Sequence, residues 1–339
     1  MLNRADLIDF VASGECSPDD WTVGTEYEKH VVDGSGRPLP YASEQGPSIS
    51  GLLHSLAKHR GWSPIMEGEN LVALKKSGAS ISLEPGGQIE LSGAPFGALS
   101  GMQEELNEHV EDLRFLSETF GVRWLWTGLH PTAEIDEIPW MPKKRYVIMR
   151  DYLPTRGALA HYMMKTTATV QANLDFSDER DMGHKLRSGM ALSSLVTALF
   201  ANAPTGATGI PNYPTSQVHR SWRWQVWNDT DPDRCGLPEW VFDGALPTYE
   251  RWVDYALDVP MFLLERSGAI IDMAGRSFRT FAAQGHDTYR PTLDDWALHL
   301  STLFPDVRLK TYLEMRSADC VPARLIPALP ALWKGILYD

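Results

Sequence analysis

The chain has 339 residues, 43% of them hydrophobic, enough to bury a sizeable core as one large domain spanning 1–339. A net charge of −13 argues against a nucleic-acid partner or an anionic membrane surface. Cys16, Cys235 and Cys320 are too scattered for a disulfide framework or a thiolate metal site, no apolar run approaches a membrane span, and Met1–Asp6 carries no signal core, so a cytoplasmic protein is expected.

In chain order, Leu2–Ser13 has the spacing of a short amphipathic helix and Thr22–Val32 that of a strand. Asp33-Gly34-Ser35-Gly36 is a turn, and Ser48–His59 is helical. Between Gly68 and Pro95 the pattern is of strands broken by tight turns, with Pro85-Gly86-Gly87 as punctuation. Ala98–Phe120 is the clearest long helix, with Leu99, Met102, Leu106, Val110, Leu113 and Leu116 on one face; Gly121 ends it. Its acidic run (Glu104, Glu105, Glu108, Glu111, Asp112) is expected to be a solvated face. Val122–Leu129 is predicted as a strand with Trp124 and Trp126 on one side. Pro139–Pro154 is a cation-rich loop and short helix, Thr166–Phe176 a buried strand, and Ser177–Ala201 a second long helix capped by Ser177 or Asp178. Ala203–Gln217 is a Pro/Gly/Thr-rich loop. Tyr249–Leu257 is helical, Val259–Glu265 and Ile270–Met273 pair about Gly268, and Ser277–Ala283 and Thr292–Leu300 are short helices. The last strands fall in Val307–Arg316 and a final helix in Pro322–Leu337. Strands in adjacent runs, without strict alternation with helices, predict an α+β fold with a mostly antiparallel sheet flanked by helices.

The chemistry lies in carboxylates on strands. Glu26 and Glu28 share one strand face, as do Tyr312, Glu314 and Arg316. Glu84 and Glu90 flank the Pro85-Gly86-Gly87 turn. A two-residue turn at Gly86-Gly87 places them on opposite faces; a three-residue loop at Gly86-Gly87-Gln88 places them opposite each other on one face. The second is expected, because paired carboxylates repel unless a cation or a shared proton separates them. Inward carboxylates on short strands are costly unless paired or metal-bound, and Mg²⁺ takes such oxygen ligands. The histidines show no H-E-x-x-H spacing and no P-loop is present.

Together these stretches resemble the plant and proteobacterial type of glutamate–cysteine ligase: G-T-E-Y-E-K (24–29), S-L-E-P-G-G-Q-I-E-L-S-G-A-P (82–95) and Y-L-E-M-R (312–316), with M-P-K-K-R-Y-V-I-M-R-D-Y-L-P (141–154), V-Q-A-N-L-D-F (170–176) and W-N-D-T-D-P-D-R (227–234) between them. The resemblance implies a glutamine-synthetase-like catalytic fold, with the antiparallel sheet curved over the active site. It implies ATP- and Mg²⁺-dependent ligation of the γ-carboxylate of L-glutamate to the amine of L-cysteine through a γ-glutamyl phosphate, the first step of glutathione biosynthesis. Glu26, Glu28, Glu84, Glu90 and Glu314 match positions expected to bind Mg²⁺ and ATP. Arg150 and Arg223 match substrate-pocket arginines, a guanidinium being able to grip a carboxylate with two hydrogen bonds. Arg316 and Arg223 are the expected catalytic cations, Arg316 for the transferring phosphate. Asn173 and Gln171 either orient a ligand or satisfy backbone.

The chain departs from the family pattern where R-S-H-I-W is Arg223-Trp224-Gln225-Val226-Trp227, where G-G-P-W-R-R is Cys320–Leu325, and where V-P-M-Y ends in Phe262. If these positions line the amine pocket, that pocket is recut, and a related amino acid or another amine is the alternative acceptor to L-cysteine. The family's further C-terminal helical segment is not matched, and a non-catalytic nucleotide-binding relative is the alternative of a different class.

Overall fold

A computed structural model describes residues 2–203 and 220–338; the loop expected over 203–217 lies almost wholly outside them. Its centre is a nine-stranded sheet. Eight strands form its path: β1 (Val23–Val32), β2 (Ser63–Glu67), β3 (Asn70–Lys76), β4 (Ala79–Leu83), β5 (Ile89–Ser92), β7 (Thr169–Leu174), β12 (Val307–Leu309) and β13 (Leu313–Asp319). They run in the order β12-β13-β7-β1-β5-β4-β3-β2, and β6 (Arg123–Leu125) pairs the far end of β1. Every pairing in this sheet is antiparallel. Two small pairs stand apart, β9 (Leu263–Arg266) with β10 (Ala269–Asp272), and β8 (Cys235–Gly236) with β11 (Phe304–Pro305).

Period-two patterning divides the central sheet into two faces. Tyr27, Ile81, Leu83, Ile89, Leu91, Val170, Ala172, Leu174, Leu313 and Met315 are all buried on one side. Their intervening neighbours, on the other side, carry the acidic and amide groups. Helices covering the sheet include α3 (Leu99–Phe120), α6 (Glu179–Leu199) and α11 (Ala328–Leu337). Gly189 on α6 brings that helix within reach of Val307 and Met315; a Cβ there would meet Val307 at 2.9 Å. The polar face looks toward α4 (Lys144–Tyr152), α5 (Ala160–Thr166) and α7 (Trp222–Asn228). The remaining helices are α1 (Arg4–Ala12), α2 (Ile49–His59), α8 (Tyr249–Asp258), α9 (Phe278–Gln284) and α10 (Leu293–Leu300).

Local chemistry explains the boundaries. Asn3, Ser48, Asp178, Thr248 and Thr292 each cap a helix by accepting a backbone N–H. Gly121 ends α3 at φ 67°, where L side chains are strained. The expected strand over 122–129 shrinks to Arg123–Leu125, because residues beyond Leu125 would fall beside Lys29 and earlier positions, where β1 is already paired with β5 and β7. Strand β2 and helix α5 are additions: Ser63–Glu67 is an exposed edge with little apolar alternation, and α5 is only seven residues long. The acidic run of α3 is not wholly solvated. Asp112 is buried and accepts from Arg60 Nε at 2.5 Å and Trp62 Nε1 at 2.8 Å, while Glu105 accepts from the Ala94 N–H at 2.9 Å.

Candidate active site

Strand register assembles the acidic face. Glu28 on β1 lies directly opposite Glu90 on β5, and Glu26 lies opposite Ser92 on one side and Gln171 of β7 on the other. Glu314 of β13 pairs with Asn173, which donates from Nδ2 to Glu26 at 2.7 Å. Glu84 and Glu90 share this face, as expected, but they sit diagonally. The loop is Pro85-Gly86-Gly87: Glu84 N–H donates to Gln88 O at 2.9 Å and Gly87 N–H to Glu84 O at 2.9 Å, leaving Glu90 opposite Ser82. Gln88 joins the ladder rather than the loop because its side chain is tied down. Its amide donates to Thr167 O at 2.7 Å, and its Oε1 accepts from Gly86 N–H at 3.0 Å. Gly87 supplies the positive φ of 85°.

The turn is clamped from outside. Met141 N–H donates to Pro85 O at 2.9 Å, and Lys143 Nζ donates to Leu83 O at 2.7 Å. A Cβ on Gly86 would stand 2.2 Å from the Lys165 carbonyl, so only glycine admits that approach.

These carboxylates pay heavily for desolvation. Burial, then the charges of Glu314 and Glu90, pushes the Glu26 carboxyl up to about 8. Burial followed by the Glu84 charge raises both Glu28 and Glu90. Glu314 goes the other way. Although burial opposes it, Arg308, Lys310 and Arg316 hold it well below the usual carboxylate range. Arg308 Nη2 contacts both its oxygens at 2.7 Å, Lys310 Nζ lies at 3.0 Å, and Arg316 Nη1 completes the group.

The acidic face floors a cavity of about 270 Å³, whose walls include Glu26, Glu28, Glu84 and Glu90 together with Arg145, Arg223, Arg308 and Arg316. Arg316 Nη1 also donates to Gln171 Oε1 at 2.6 Å, and Gln171 lines the cavity. Asn173 is outside the cavity walls and acts on Glu26 instead. Arg150 is outside them too. It is exposed, with its guanidinium 5.2 Å from the centre of the Trp140 ring. Arg145 takes that wall. Residues 145 and 149 stand four apart on α4, and Met149 lines the cavity with it, whereas position 150 is turned about 140° from position 145. That spacing was the available signal for Arg145. For Arg308 the signal was the Arg308/Lys310 alternation on a strand pairing with Glu314.

The departures from the family pattern fall elsewhere. Phe262 is buried against Phe304, Tyr152 and the Arg234 guanidinium, and neither it nor Ala323 lines the cavity. Trp224 is partly exposed and faces a smaller recess, while Trp227 lines the main cavity.

The donor set suits a hard divalent cation, since desolvated carboxylate oxygens without cationic partners are the ligands such ions take. Among the described residues, however, no three acidic, histidine or cysteine side chains converge to hold one ion. Among the described residues no helix is long and apolar enough to cross a membrane.

Comparison with known proteins finds relatives over the whole chain. The chain is 48% identical over 342 residues to the chloroplastic glutamate–cysteine ligase of Medicago truncatula and 47% identical to that of Nicotiana tabacum. Those alignments take in 100% of this chain but only 65% and 63% of the two relatives, so the chain spans just under two thirds of their length. The relatives are named as chloroplastic proteins, which overturns the cytoplasmic placement expected from the sequence. Among solved structures, the glutamate–cysteine ligase of Francisella tularensis in complex with AMP shares the fold at a TM-score of 0.55. It is 14% identical and covers 94% of this chain and 65% of that one. A family profile, described as glutamate-cysteine ligase family 2 (GCS2), matches residues 22–339, a span that holds every carboxylate and arginine of the cavity, and the chain therefore belongs to that family.

Proposed function

We propose that this chain catalyses the ATP-dependent joining of L-glutamate, through its γ-carboxylate, to the amine of L-cysteine. What carries the reading is the meeting of four carboxylates and four arginines around one cavity in a chain of this family. A γ-carboxylate oxygen attacks the terminal phosphorus of ATP, the bond to the bridging oxygen breaks, and ADP leaves. The cysteine amine then attacks the acyl carbon, phosphate departs, and the nitrogen gives up its proton. Glu26, Glu28, Glu84 and Glu90 would hold Mg²⁺, one or two carboxylates to an ion, together with the nucleotide phosphates; a bound ion would neutralise crowded phosphate oxygens. Arg145 and Arg223 receive the carboxylates of the amino-acid substrate, and Arg316 faces the transferring phosphate. Glu314, already saturated by three cations, sets the positions of Arg308 and Arg316. Asn173 orients Glu26.

Cysteine is the acceptor we favour over another amine, because Phe262 and Ala323 stand away from the cavity walls. A purely nucleotide-binding role is disfavoured by the presence of four clustered carboxylates that make no direct ion pair among the described residues. The test is phosphate release from ATP, Mg²⁺ and L-glutamate across a panel of amines, with Glu84→Gln as control. Cysteine-dependent release lost in Glu84→Gln supports the reading. Release with a different amine, or unchanged turnover in Glu84→Gln, contradicts it.

A further inference from the structure

Two of the arginines on the cavity wall stand close together. Arg223 Nη2 donates to the Arg316 carbonyl at 2.9 Å, and both guanidinium groups lie near the Trp227 ring at 5.7 Å. Like charges so placed need separate counter-charges. The Glu314 carboxylate is already shared by Arg308, Lys310 and Arg316. Arg223 is buried at 5% exposure, and its Nε has no hydrogen-bond partner among the described residues.

Among the described residues the counter-charge acting most strongly on Arg223 is Asp319, ahead of Glu28 and Asp306; it is the last residue of β13 and wholly buried. Its Oδ1 lies 4.0 Å from Arg223 Nη1. The same oxygen accepts the Ser221 hydroxyl at 2.9 Å, and Oδ2 accepts the Asn202 N–H at 2.8 Å. Ser221 is the N-cap of α7, accepting from Trp224 N–H at 3.2 Å, so Asp319 also anchors the start of the helix that carries Arg223 and Trp227. Asp319 packs closely on Gly128, where only glycine leaves it space: a Cβ built there would meet Asp319 Cβ and Cγ at 2.6 Å.

We propose that Asp319 is a positioning residue: its charge, and its hold on Ser221, fix the Arg223 guanidinium on the cavity wall in the orientation that receives an anionic substrate group. Asp319 touches no part of the cavity itself, and its effect passes entirely through Arg223 and α7. The functional half rests on the reading given under Proposed function; the geometric half does not.

The test pairs crystal structures with kinetics for wild type, Asp319→Asn and Ser221→Ala. Asparagine keeps the shape and one acceptor but removes the charge. In Asp319→Asn the Arg223 guanidinium is expected to leave its place and lose its bond to the Arg316 carbonyl. KM for L-glutamate is expected to rise about tenfold, the scale for losing an outer partner of a binding group, while KM for ATP changes less than twofold. A merely structural role moves both KM values together, or moves only the melting temperature, and that result overturns the proposal. So does an Arg223 that stays in place in Asp319→Asn. If Asp319→Asn does not fold, Ser221→Ala decides: an α7 start that shifts, with a selective rise in KM for glutamate, supports the proposal, and an unmoved Arg223 with unchanged KM overturns it. A wild type indifferent to glutamate, with Arg223 displaced in the variant, leaves the positioning role standing and removes the substrate assignment instead.

Discussion

Glu28 and Glu90 stand directly opposite each other on neighbouring antiparallel strands, a pairing that costs stability when both are charged. Among the described residues no arginine or lysine hydrogen-bonds to either; Glu28 accepts the Thr169 N–H at 3.1 Å and Glu90 the Ser92 hydroxyl at 2.8 Å. The protein thus keeps a repulsive pair at the centre of its sheet, offset in part by the charges of Arg223 and Arg316 near Glu28 and relieved further by a proton or a bound cation.

Proton and cation should therefore compete. The Glu26 carboxyl is raised from 4.5 to about 8, so between those values the folded state binds the proton that the unfolded state has released. Stability contributed by this group is present below about 4.5 and is lost as pH rises to about 8. Relative to Glu26→Gln, the wild type without added metal should lose stability across that window and run parallel above it. Melting temperature gained on adding Mg²⁺ with nucleotide should be larger at pH 8 than at pH 6. Thermal melts of both proteins across the pH series check this.

Glu314 should behave in the opposite sense. Replacing it by alanine leaves Arg308, Lys310 and Arg316 facing one another without their anion. Breaking a buried pair in this way costs about 3–5 kcal/mol. Urea midpoints should place Glu314→Ala far below wild type and Glu26→Gln at or above it.

The two arginines of α4 separate cleanly. Arg145→Ala should raise KM for L-glutamate about 10- to 100-fold, the equivalent of one charged hydrogen-bonded contact of about 1.5–3 kcal/mol. Arg150→Ala removes only an exposed contact with Trp140, worth about 0.5–1 kcal/mol, and should leave kinetics within about threefold. Steady-state kinetics on both variants decide between positions 145 and 150.

Gly86→Ala tests the clamp on the hairpin. Its Cβ meets the Lys165 carbonyl at 2.2 Å, which a backbone cannot yield without moving the turn. The expected cost is about 1–3 kcal/mol. Turnover should fall by more than this loss of stability explains, because Glu84 and Glu90 move with the loop. Comparing turnover at a temperature where both proteins are fully folded isolates the effect.

Much of this was legible in the sequence. Alternation in Thr22–Val32 and Thr166–Phe176 placed Glu26, Glu28, Gln171 and Asn173 on the right faces, because a half-buried strand writes its faces into every second residue. The one-face placement of Glu84 and Glu90 was legible too, but their diagonal offset was not. That depended on Gln88 reaching Thr167, some eighty residues away. The position of Arg150 outside the cavity walls was not legible for a similar reason: in the cation-rich stretch 143–150, composition does not say which side of a short helix meets the sheet. The burial of Asp112 came from Arg60 and Trp62, partners no local pattern announces.

The two-faced alternation of β1 has a consequence for how this protein can vary. Glu26 and Glu28 look into the cavity only because Tyr27 and Lys29 look away from it. Deleting one residue inside the strand would exchange the two sets, sending carboxylates into the packed side and a tyrosine and a lysine into the cavity. Substitution can tune this site, but a change of length within β1 erases fold and chemistry in one stroke. Tolerated insertions and deletions should therefore be confined to the exposed connections, such as the Asp33–Gly36 turn.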